Sequence, residues 1–186
     1  MKKLLITTAM TGALMAPAAF AAPTDSTDLE VSATVMEECS IGEPNAVTFS
    51  EVEINEGAGA DALQLQNGSQ ADSQNIYVSC NYATSISVSS ANDGLLNSAG
   101  QSLVDNDPDD FTNLINYRVQ MTSTDGSYSN VDFRTRIGGG FVPSATADGA
   151  FHDNSQLRVV IDADDTSKRP VAGTYTDTAT ISLGPI

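Results

Sequence analysis

The feature that most constrains this chain is the two-residue period of its apolar positions. Ile115, Tyr117, Val119 and Met121 alternate with Asn116, Arg118, Gln120 and Thr122. Successive side chains of extended backbone point to opposite sides, so the pattern specifies a strand with one buried face. The same alternation places Ile76, Val78 and Cys80 on one face of a strand. It recurs at Ile86 and Val88 among serines, at Leu157, Val159 and Ile161, and over 173–183, where Tyr175, Ala179, Ile181 and Leu183 share a face. Val47, Phe49, Val52 and Ile54 read as a strand whose phase changes near Ser50 and Glu51, the mark of a bulge. Residues 131–137 form a weaker one.

Turn chemistry separates these runs. Asn81-Tyr82-Ala83, Asn92-Asp93-Gly94, Thr124-Asp125-Gly126 and residues 164–170 read as turns, and Gly138-Gly139-Gly140 as a flexible break. Residues 57–73 are polar and rich in Gly, Ala and Gln, which predicts a long connection. His152 lies in a Gly/Asn/Asp-rich stretch, GAFHDNSQ, that reads as a surface loop. Helical periodicity is absent after the leader. Short alternating strands between turn clusters predict an all-β chain, an antiparallel β-sandwich with immunoglobulin-like connections.

Residues 1–21 read as a secretory signal peptide, with Lys2 and Lys3, an apolar stretch from Leu4 to Met15, and Ala19-Phe20-Ala21 as the cleavage site. The apolar stretch is short for a membrane span and broken by threonines, Gly12 and Pro17. Removing Lys2 and Lys3 from 8 Lys+Arg against 24 Asp+Glu leaves 6 cations against 24 acids, a net charge of −18. Such a surface repels phosphate backbones and anionic lipid, which argues against nucleic acid and membrane as partners. Cys39 and Cys80, the two cysteines of an exported chain, are best read as one disulfide.

Residues that could carry catalysis or hold a metal are sparse. His152, beside Asp153, is the sole histidine, and a serine hydrolase needs a base beside its nucleophile. Acidic residues are so many that paired carboxylates discriminate nothing. Asp105, Asp107, Asp109 and Asp110 offer clustered oxygens, yet the spacing lacks the glycine and closing glutamate of an EF-hand. The glycine triplet is followed by no Gly-Lys-Ser/Thr. The reading is a chain with no catalytic residues, no metal site and no cofactor.

Two ends of the chain bear on organisation. Leu29, Val31, Ala33 and Val35 alternate with Asp28, Glu30, Ser32 and Thr34. This strand is either the first of its own domain or a spare one offered to a neighbouring chain. After Leu183 only Gly184-Pro185-Ile186 remain. A strand completing the last sheet is therefore expected from elsewhere in the chain or from another chain.

Three stretches taken together, VSATVMEECSI, NIYVSCNYATSISVSS and RPVAGTYTDTATISL, resemble the spore coat protein U domain family, which includes subunits of archaic chaperone–usher pili. LINYRVQM is similar to that family's middle strand. The resemblance covers most of residues 29–183. The central loops are longer and more acidic than the family pattern, and the SLGPI ending departs from its apolar terminus. The resemblance implies an incomplete immunoglobulin-like sandwich that lacks one strand. It divides the chain into a signal peptide (1–21), a donor-strand extension (22–36) and a pilin-like domain (37–186). It implies assembly by donor-strand complementation, with a periplasmic chaperone filling the groove first and the next subunit replacing it at the outer-membrane usher. Donor positions are then Leu29, Val31, Ala33 and Val35, with Met36 after them. Tyr117, Val119, Ile181 and Leu183 line the acceptor groove. The partners implied are identical or related pilin subunits, the chaperone and the usher, and the destination is a cell-surface fibre reached through the periplasm. The alternative is a secreted, non-polymerising binding or coat protein of the same fold, with calcium held at residues 105–110.

Overall fold

The computed structural model describes residues 25–66, 69–136 and 141–186. The proposed signal peptide and the glycine triplet lie outside the described residues. The chain divides into two units, Met1–Val35 and Met36–Ile186.

The second unit is an all-β body of mostly antiparallel strands. In chain order they are β1 (Cys39–Ile41), β2 (Ser69–Cys80), β3 (Thr84–Ser90), β4 (Leu95–Leu96), β5 (Phe111–Thr112) and β6 (Leu114–Ile115). There follow β7 (Arg118–Thr122), β8 (Val131–Arg134), β9 (Ser144–Ala147), β10 (Phe151–Asp162), β11 (Arg169–Pro170) and β12 (Ala179–Pro185). Among the described residues one short α-helix, α1 (Gln101–Val104), and two single 3-10 turns, Ser98–Gly100 and Ala163–Asp165, interrupt them. A five-stranded sheet runs β1-β2-β10-β7-β8, and a three-stranded sheet runs β12-β3-β9. β4 pairs with β6, while β5 and β11 form the one parallel pair among the described residues.

The alternating residues supply the core. Ile76, Val78 and Cys80 of β2 and Ile86 and Val88 of β3 are buried, as are Ile115, Tyr117, Val119 and Met121. They form one hydrophobic cluster drawn from both larger sheets. Burial of such side chains contributes roughly 1.5–3 kcal/mol each. The disulfide joins Cys39 to Cys80, which face each other in the β1–β2 register. It closes a loop over 41 positions of sequence and ties the short edge strand to the longest ladder.

Several elements differ from the sequence expectation, each for a traceable reason. The strand read across Leu114–Thr122 is broken at Asn116 and Tyr117. Their backbone N–H groups donate to the hydroxyls of Thr166 and Thr135 (2.8 and 2.9 Å) rather than to a neighbouring strand. The connection read over 57–73 ends early, because Ser69–Ser73 pair with Arg158–Asp162 and so extend β2. His152 stands on a strand and not in a loop, since β10 begins at Phe151 opposite Cys80. Along that strand the alternation slips: Val160 and Ile161 are both buried and Val159 is half-buried. Val47, Phe49, Val52 and Ile54 form no strand. Only Ile54 bridges, to Leu65, because no neighbouring strand pairs with the segment. The last strand starts at Ala179 and not at Gly173; residues before it make a single bridge, Leu96 to Thr176. β8 stops at Arg134, and Ile137, where the sequence placed its end, lies outside the described residues.

Candidate functional site

The closing motif Ala172-Gly173-Thr174-Tyr175-Thr176-Asp177-Thr178 builds one side of the site, and its residue types follow from local geometry. Gly173 has φ +147°, and a Cβ there would lie 2.2 Å from Asn97 Nδ2. Only glycine accommodates both the backbone angle and the approach. Asn97, buried, donates through Nδ2 to Ala172 O (3.2 Å) and accepts from Gly100 N (3.0 Å). Tyr175 donates its hydroxyl to Val171 O at 2.6 Å. Burial raises the Tyr175 phenol above its ordinary range.

Residues 170–177, residues 47–52 and Ile54 line much of a groove of about 900 Å³. Val47, Phe49, Val52, Val171 and Tyr175 contribute apolar surface, with the buried Ile115 and Ile161 reached from the core. Ile54, Leu63 and Leu103 line it too and stay partly open to solvent, Leu103 at 51%. A concave surface of this size, part apolar and part polar, has room for an extended segment.

Among the described residues, 46–52 make no backbone–backbone hydrogen bond; the first lies at Glu53, whose carbonyl accepts from Gln66 N. β12 pairs with β3 through all seven of its residues, and no strand among the described residues pairs with its other edge. Unpaired strand edges of this kind are templates for a further strand. Ile181 and Leu183 lie on β12 and pack half-buried against the core. Tyr117 and Val119 lie inside the core, at 4% and 2% exposure.

Tyr117 nevertheless reaches the groove through a polar contact that periodicity did not reveal. Its hydroxyl donates to Asp177 Oδ2 at 2.8 Å, and Asp177 lines the groove. Ser90 Oγ donates to the same oxygen, and Asn92 N to Oδ1 at 3.0 Å. Burial alone would raise the Asp177 carboxyl, but hydrogen bonds from Ser90, Tyr117 and two backbone amides outweigh it and hold it below the usual range. Burial, then the bond to Asp177, pushes the Tyr117 phenol well above its usual value.

In the first unit, Leu29, Val31, Ala33 and Val35 are exposed and belong to no strand, with Leu29 and Val31 each at 85%. Met36, at the start of the second unit, is exposed as well.

The remaining polar candidates are dispersed. His152 and Asp153 point to opposite faces of β10: the histidine is exposed, stacked on Tyr77 and 2.6 Å from Ser79 Oγ through Nδ1. Asp153 is buried and accepts from Thr124 and from Ser155 Oγ (2.7 Å). Of the 105–110 acids, Asp110 pairs with Arg169 at 2.9 Å. Among the described residues no group of three or more His, Cys, Asp or Glu is placed to hold a metal ion.

Comparison with curated proteins and with solved structures returns no match. A family model does match, that of the Spore Coat Protein U domain, over residues 25–182. The match takes in the end of the first unit and all the residues that line the groove, and the family is a structural, pilin-type one rather than a family of enzymes. With most of its length so covered, the chain belongs to the Spore Coat Protein U domain family.

Proposed function

We propose that this protein is a structural subunit of a surface fibre, a pilus or fimbria, joined by donor-strand complementation along the chaperone–usher route. The observation that carries the reading is the groove, lined in part by residues 47–52, which make no backbone–backbone hydrogen bond among the described residues; the outer edge of β12 is a second stretch without a partner strand among them. An extended segment that reaches both would satisfy them and cover the exposed apolar lining. The segment of suitable pattern is residues 25–36 of another copy, with Leu29, Val31, Ala33 and Val35 as its inward positions. Burying one Leu and two Val stabilises the joint by roughly 1.5–3 kcal/mol each. Each main-chain hydrogen bond adds about 1 kcal/mol. Such a joint holds without covalent linkage.

On this reading the subunit travels through the periplasm on a secretion signal. A chaperone covers the groove until the outer-membrane usher exchanges it for the next subunit. The test is deletion of residues 22–36 behind the intact signal. The shortened chain should fold with its chaperone and enter no fibre; normal fibre growth by it would overturn the proposal.

A further inference from the structure

We propose that Tyr117 and Asp177 form a strut that keeps the groove open to an incoming strand, an inference resting on the reading of that groove as a strand acceptor. The groove-lining residues 173–177 and the adjoining Thr178 make few backbone bonds: Leu96 and Thr176 exchange two, and Ala91 N donates to Thr178 O. These three bonds are all the backbone pairing that holds the segment among the described residues. A partly apolar groove of about 900 Å³ favours inward movement of the segment, because drawing its lining together removes apolar surface from water.

Asp177 opposes it. Its carboxylate takes hydrogen bonds from Ser90 at the end of β3, from the backbone of Asn92 in the following turn, and from Tyr117 just before β7. One side chain of the groove-lining segment is thereby tied to the three-stranded and to the five-stranded sheet at once. Tyr117 is the critical partner, since its ring is locked in the core at 4% exposure. A shift of Asp177 would cost the Tyr117 hydroxyl its bond to that carboxylate and leave it only the neighbouring Ser90 hydroxyl. The segment therefore stays where the core places it. Tyr117 and Asp177 are positioning residues: they shape the acceptor and do not grip the donor.

The experiment compares the mature full-length chain with Tyr117→Phe, Asp177→Asn and the double variant. Two quantities are measured: the rate at which chains join into SDS-resistant oligomers, and the melting temperature of the joined form. Each single variant should join about tenfold more slowly, the rate equivalent of about 1.4 kcal/mol. The joined form should lose only what the Asp177 hydrogen bonds themselves contribute, less in melting temperature than the rate effect corresponds to, because the inserted strand then holds the groove open. The double variant should be no slower than the slower single one, as partners in one interaction are not additive. Should Tyr117→Phe not accumulate as folded protein, Ser90→Ala, which removes a single hydroxyl on the same carboxylate, carries the comparison. Wild-type joining rates in the single variants would overturn the strut. So would slow joining with an equal loss in melting temperature, which marks a plain packing role. A wild-type chain that forms no such oligomers would remove the acceptor reading itself, an outcome distinct from both.

Discussion

Replacing Gly173 with alanine is the sharpest single perturbation of the groove-lining segment. The added Cβ would lie 2.2 Å from Asn97 Nδ2 and 3.0 Å from its Cγ, so the buried amide must turn away. Turning it forfeits its bonds to Ala172 O and Gly100 N, about 1 kcal/mol each. Holding alanine at φ +147° costs a further 1–3 kcal/mol or so. The sum, about 3–5 kcal/mol, lowers the melting temperature of a domain this size by roughly 6–20 °C. Thermal unfolding of the mature chain followed by near-ultraviolet circular dichroism measures it. Gly149→Ala is the control, since a Cβ there meets nothing within 4 Å. A G173A chain that melts within about 2 °C of G149A would refute the assignment of Gly173 to a left-handed, sterically closed position.

Other outcomes follow from the same geometry. Asp153→Asn removes a buried carboxylate held by Thr124 and Ser155 and should cost about 2–3 kcal/mol in urea unfolding at pH 7. Burial raises Asp153 and Asp177, but hydrogen bonds outweigh it and hold both below the ordinary carboxylate value. The unfolded chain thus takes up protons first as pH falls. The stability they contribute is present above about pH 4 and is lost below it, so the urea midpoint should drop between pH 5 and pH 2.5 and drop less in the D153N variant. Paired Cys39→Ser and Cys80→Ser replacement should cost roughly 4 kcal/mol by the chain-entropy model, read from denaturant unfolding. Val31→Asp should leave folding with the chaperone intact and abolish joining, scored as loss of SDS-resistant oligomers, because a carboxylate would enter an apolar groove unpaired.

The buried faces of this chain were legible wherever burial and a two-residue period coincide. Ile76, Val78, Ile86, Val88, Val119 and Met121 all stand in the core as their alternation requires. What local pattern hides is the decision of a distant partner. Asn116 and Tyr117 leave the strand because hydroxyls 50 and 18 residues away capture their amides. The polar start of β2 becomes strand by pairing with the end of β10, and the polar start of β10 by pairing with the end of β2, each against its composition. Residues 47–54 carry a strand-like pattern without a strand, since pattern describes a face and says nothing of an available neighbour. At the site, Ile181 and Leu183 lie on β12 beside its open edge, and Tyr117 acts through its hydroxyl rather than its ring. Val171, Leu95 and Asp177 had no local signature, as their shared role arises only where the chain folds them together.

The most direct test follows backbone amide exchange in residues 46–52 and 179–185, comparing unjoined mature chain with assembled fibre. If an extended segment from a second copy fills the groove, amides in both stretches should pass from fast exchange to strong protection together, since one inserted strand pairs with both edges. Unchanged exchange in both stretches on assembly would contradict the account, because the subunits would then be joined through some other surface.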